Sequence, residues 1–156
     1  MSKIYQRRLI RLQDERETAL ELVSFVHDNW YTKSFFNEAA FRGRTLAEIA
    51  RLAESLETTF ITALFAAFEG ILREHMSQHH SGTLVPESAG AAFLIDQAAV
   101  AQPVRISVSL GNQVHRVRQY RNSLMHPAGR DAAEVSFTEA LAHLSRYVGW
   151  LPNPYE

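Results

Sequence analysis

Thr45 and Glu48 stand three residues apart at the head of a long stretch in which no proline occurs before Pro86. A threonine hydroxyl and a glutamate carboxylate at that spacing can each cap the other's backbone amide, which fixes where a helix begins. Behind them apolar residues recur at helical spacing through Leu46, Ile49, Ala53, Leu56, Phe60, Leu64, Ala67 and Ile71. The pattern predicts one helix from about Thr45 to Met76. A helix of that length exposes an apolar stripe that other elements must cover.

The rest of the chain supplies those elements as further helices. Ser136 and Glu139 form a second capping pair, followed by Phe137, Leu141, Leu144, Val148 and Leu151, and Pro152 closes the segment. The first 30 residues place Leu9, Leu12, Leu20, Val23 and Val26 on one side. Their other side carries Arg7, Arg8, Arg11, Asp14, Glu15 and Glu17, which reads as a solvated face of mixed charge. Ser88 to Ala101 is alanine-rich and predicts a short helix that Pro103 punctuates. Asn37 to Gly43 and Gln78 to Pro86 read as connections. Val104 to Leu110 alternates like a strand, but a single strand has nothing to pair with, so it is assigned as the lead-in to the next helix. The expectation is an all-α fold, an antiparallel bundle of four to five helices forming a single domain over residues 1–156.

Composition narrows the chemistry. The chain has no cysteine, which excludes disulfides, thiolate metal sites and cysteine nucleophiles and fits a reducing compartment. The N-terminal MSKIYQRRLIRLQDERE lacks the apolar segment of a secretory signal. No apolar run reaches the ~20 residues that cross a bilayer, so a cytoplasmic protein without membrane contact is expected. The formal net charge is −1, so nucleic acid would have to bind through a local patch. There is no glycine-rich phosphate loop, no GxSxG and no paired acidic motif.

The helix expected from about Ser109 to His126 carries the chemistry. At ~100° per residue, Leu110, Val114, Val117 and Leu124 share one stripe, and Arg121 falls inside it. His115, Gln119, Asn122 and His126 form a separate polar stripe with Arg118 at its edge. An arginine on a packing stripe is unfavourable unless it is paired or faces an anion. Its planar fork suits phosphate. Pro127 stops the helix after His126, where the negative end of the helix dipole favours a cationic imidazole. Asn122, one turn earlier, is within reach of that ring. A phosphate-binding arginine beside a histidine is sufficient equipment for RNA transesterification by its own 2′-hydroxyl, with no metal and no cofactor. A bland reading stands beside this one. His126 can be a plain helix cap, and Arg121 can be a core residue paired with Glu57, Glu69 or Glu74.

The run Arg121, Asn122, Ser123, Leu124, Met125, His126 resembles the motif of the HEPN superfamily (higher eukaryotes and prokaryotes nucleotide-binding). The preceding VHRVRQY and the earlier AAFEGILRE are similar to that family as well. The resemblance implies a homodimer in which two motif helices meet and two Arg/His pairs line one cleft. It implies a metal-independent endoribonuclease, in a toxin–antitoxin or defence setting, with an antitoxin or defence-system protein as partner. Arg121 would then hold the scissile phosphate, His126 would act as general acid or base, and Asn122 would orient the histidine or the phosphate. The alternative is a non-catalytic nucleotide- or RNA-binding adaptor of the same family. The branch regulated by tyrosine adenylylation has a tyrosine two residues after the histidine. Here that position is Ala128, so this regulation is not expected.

Other residues are weaker candidates. Arg116, Arg118 and His115 could contact RNA beyond the scissile phosphate, as could Arg7, Arg8 and Arg11, although surface arginines are commonly solubilising. Glu74, His75, His79 and His80 are dense enough to suggest a metal, but they read better as a solvated helix end. Trp30 and Tyr31 could stack on a base, but read as packing residues. Phe60, Phe65 and Phe68 read as core.

Overall fold

The computed structural model describes residues 3–79, 88–100, 106–126 and 132–152. Among them lie five α-helices and no strand: α1 (Lys3–Asp28), α2 (Leu46–His79), α3 (Ala91–Val100), α4 (Val108–Met125) and α5 (Phe137–Gly149). The all-helical bundle expected from the sequence is the observed fold. Pro103, Pro127, Ala128, His80 and most of the Gln78–Pro86 connection lie outside the described residues.

Two caps set the frame. The Thr45 amide donates to Glu48 Oε2 at 2.7 Å and the Glu48 amide returns to Thr45 Oγ1 at 3.3 Å, completing the box that starts α2. The Thr45 amide and the Thr45 hydroxyl both donate to Glu48 Oε2, and these two bonds hold the Glu48 carboxyl below its ordinary pKa. At α5, Ser136 Oγ accepts from the Glu139 amide at 3.2 Å, while the Glu139 carboxylate turns to Arg116 and His143. The vacant α5 N-terminus is taken by Glu57 of α2, whose Oε1 accepts from the Phe137 amide at 2.9 Å.

One core cluster draws on all five helices. α2 is its spine, burying Ile61, Leu64, Phe65, Phe68, Ile71 and Leu72. Phe60 meets Phe137 at 6.4 Å and Phe68 meets Tyr147 at 5.5 Å, so α2 and α5 run in the same direction. α1 runs against both: Arg8 pairs with Glu74, Arg16 pairs with Glu57, and Gln6 donates to the Ser145 carbonyl at 3.1 Å. By length and composition alone Leu46–Gln78 is apolar enough to cross a membrane, but its buried residues are the spine of the core. The apolar stripe of α2 alone is interrupted.

α5 begins level with Glu57, so the first turns of α2 and the opposing end of α1 continue past it as a two-helix arm. Along this arm Leu20, Val23 and Val26 of the expected apolar side are half-buried, Leu22 and Phe25 face away from that side and are exposed, and only Tyr5 and Leu9 of α1 are fully buried. The connection Asn37–Gly43 begins within two short 3₁₀ turns, Phe35–Asn37 and Ala39–Phe41. Gly43 closes it with φ at 78°, a left-handed conformation that suits a residue without a Cβ. Trp30 and Ile49 are buried at this end, apart from the main core.

Candidate functional site

The lead-in to α4 is the extended Ile106 and Ser107, and Ser107 Oγ caps the helix by accepting from the Leu110 amide at 3.2 Å. The alternating pattern there marks a buried Ile106 and a cap, not a strand. Leu110, Val114 and Val117 then point into the core. One turn further on this stripe, Arg121 lies half-buried with its Cζ 5.8 Å from the centre of the Phe65 ring. One terminal nitrogen donates to Asn122 Oδ1 at 3.1 Å. Its Nε is buried with no acceptor.

The three acids that could have neutralised Arg121 are held elsewhere. Glu57 takes Arg16 at 2.8 Å, Glu69 takes Arg73 at 2.7 Å, and Glu74 takes Arg8. No ion pair to Arg121 occurs among the described residues. A half-buried guanidinium in this state is receptive to an external anion.

His126 caps α4, its backbone N–H donating to the Asn122 carbonyl at 3.0 Å. Its φ of −134° takes the chain out of the helix just before Pro127. The imidazole is exposed and makes no hydrogen bond among the described residues. The Asn122 side chain, expected within reach of this ring, is turned to Arg121 instead. Asn122 thus bonds the arginine fork and not the histidine ring.

The other three candidates separate. Arg116 reaches Glu139 at 3.2 Å and the Glu134 carbonyl at 3.3 Å, on the α5 side. His115 is held by Asp96 of α3 at 2.9 Å. Arg118 is half-buried, its Nε is buried without an acceptor, and it has no ion pair among the described residues. On the α5 side Tyr120 has its pKa raised, first by burial and then by the charges of Glu134 and Glu57.

A groove of about 540 Å³ between α3 and α4 escaped the sequence reading. It is lined by Ile95, Ala99, Val100, Gly111, Asn112 and the His115–Asp96 pair among others. Its walls come from two helices whose pairing no local pattern specifies. The His75 position is corrected as well: the imidazole is fully buried, not part of a solvated helix end, while the side chain of His79 lies outside the described residues. No group of metal-binding side chains occurs among the described residues. Trp30 packs as expected, whereas Tyr31 is exposed.

Comparisons with protein-family models, curated proteins and solved structures found no match to this chain.

Proposed function

We propose that this chain is a metal-independent endoribonuclease of the HEPN type, a toxin or defence effector that cleaves RNA in a cleft shared by two copies. The observation that carries this reading is Arg121: a half-buried guanidinium on a packing stripe, with Glu57, Glu69 and Glu74 committed to other arginines. A two-fold contact along α4 would bring two such arginines and two His126 rings together without further sequence.

In the reaction, the ribose 2′-oxygen attacks the adjacent phosphorus and the 5′-oxygen of the next nucleotide leaves. The products are a 2′,3′-cyclic phosphate and a free 5′-hydroxyl. Arg121, held by Asn122, balances the charge that grows on the non-bridging oxygens. One imidazole removes the 2′-hydroxyl proton and the other returns a proton to the leaving oxygen, a division of labour that two copies of His126 provide.

The test is cleavage of single-stranded RNA in the presence of EDTA. Wild type should yield cyclic-phosphate ends. Arg121→Ala and His126→Ala should yield none while keeping wild-type circular dichroism. In cells, wild type should arrest growth and either variant should not. The non-catalytic adaptor reading is favoured by one feature, the unanchored His126 ring. Arginine-dependent RNA binding with no product at any enzyme concentration would select it and sink the nuclease.

A further inference from the structure

We propose that Arg118 holds a second phosphate of the same RNA strand, one step from the phosphate at Arg121. This inference rests on the reading of Arg121 as a phosphate ligand.

Helix geometry separates the three cationic candidates of α4. Arg118 and Arg121 are three residues apart, about 60° around the axis, and their Cβ atoms are neighbours at ~5–6 Å. Arg116 points about 140° away from Arg121, and it faces Glu139. The polar stripe through Asn122 and His126 lies on the Arg118 side, so Arg118 occupies the angular gap between the arginine and the histidine of the motif. His115, further along, is already bound to Asp96.

Arg118 and Arg121 share an unusual state. Each is half-buried, each has a buried Nε without an acceptor, and neither has an ion pair among the described residues. Two like charges one turn apart repel each other, and burying their nitrogens unbonded adds to the cost. An anion facing the terminal nitrogens of both guanidinium forks offsets the repulsion between the two charges. A nucleic-acid strand presents phosphates in succession and satisfies the pair, whereas a lone carboxylate satisfies one member. The strand then runs from Arg121 toward the N-terminal part of α4, in the direction of the groove beside His115.

The experiment measures binding of a single-stranded 2′-O-methyl oligonucleotide, which lacks the attacking hydroxyl, over a series of salt concentrations. Arg118→Ala should weaken binding about tenfold and reduce the slope of log K against log salt by about 0.7, the contribution of one single-strand phosphate contact. Arg118→Lys should keep the slope and lose only part of the affinity, because it retains the charge without the fork. Arg116→Ala should change neither. On cleavable RNA, Arg118→Ala should raise KM while kcat stays within about twofold of wild type. Thermal melts of each variant separate binding loss from unfolding, and Arg118→Gln, which also removes the charge, preserves the slope test should the alanine variant melt early. An unchanged salt slope in Arg118→Ala overturns the second phosphate and leaves Arg121 untouched. Absence of oligonucleotide binding by wild type overturns the ribonuclease reading together with it.

Discussion

The two flanks of α4 treat charge in opposite ways. Toward α5, Arg116 is met by Glu139, Glu134 lies close by, and Tyr120 feels the negative charge of Glu57 and Glu134. On the other flank, Arg118 and Arg121 carry buried nitrogens with nothing to bond. Elsewhere the protein spends its acids freely on arginines: Glu57 on Arg16, Glu69 on Arg73, Glu74 on Arg8. The contrast locates the place where charged groups are left unsatisfied, and the proposed site rests on it.

The largest effect should come from removing the unneutralised side. Arg121→Ala is expected to lower RNA cleavage by at least about a hundredfold, the scale of losing one transition-state donor, whereas Arg116→Ala should stay within about twofold. Equal losses in the two variants, measured by single-turnover cleavage, would erase the difference between the flanks. On the neutralised side, Glu57→Ala removes the partner of Arg16 and the cap of Phe137 together, and should cost roughly 2 kcal/mol in urea denaturation. A smaller effect has opposite signs on the two flanks. Arg121→Met should leave stability unchanged or raise it by up to about 1 kcal/mol, since it replaces an unsatisfied cation with an apolar chain against Phe65. Arg116→Met should lower stability by less than about 1 kcal/mol. A clear drop in the melting temperature of Arg121→Met would mean that the arginine has an internal partner after all.

The smallest effect lies far from α4, at the start of α2. The Glu48 carboxyl sits below its ordinary pKa because the Thr45 amide and hydroxyl bond its charged form. Its stabilisation is therefore complete above the usual carboxylate range and fades as pH falls through the lowered value. Glu48→Gln should flatten that part of the pH–stability curve and leave its neutral-pH end nearly unchanged. Identical acid limbs for the two proteins would refute the cap as a source of pH dependence.

Much of the architecture was legible in local pattern. α4 was expected from Ser109 and runs from Val108; α2 was expected to end at Met76 and reaches His79. Both follow from periodicity and caps, which are properties of neighbours in sequence. The failures share a different cause. Arg8 lies on the solvated face as expected, but its pairing with Glu74 of α2 is not written in local pattern. His75 was read as surface and is buried beside Leu72 and Met76 of the core, while Ser77 and Gln78 are exposed. Ser136 and Glu139 form half a box because a helix elsewhere offers Glu139 an arginine. The site divides along the same line. The position of Arg121 on a packing stripe follows from helix angle alone. Its freedom from carboxylates does not, because Glu57, Glu69 and Glu74 were equally available on paper.

The far end of the α1–α2 arm has a small interior of its own. Trp30 is buried there against Phe41, which in turn meets Phe35, and Phe35 meets Phe25. The second tryptophan, Trp150, sits at the end of α5 beside the main core and is partly exposed. The two indoles would therefore report separately on the arm and on the bundle. On gentle heating, emission from Trp30 should redden first as the aromatic knot loosens, while Trp150 stays silent until the bundle itself gives way.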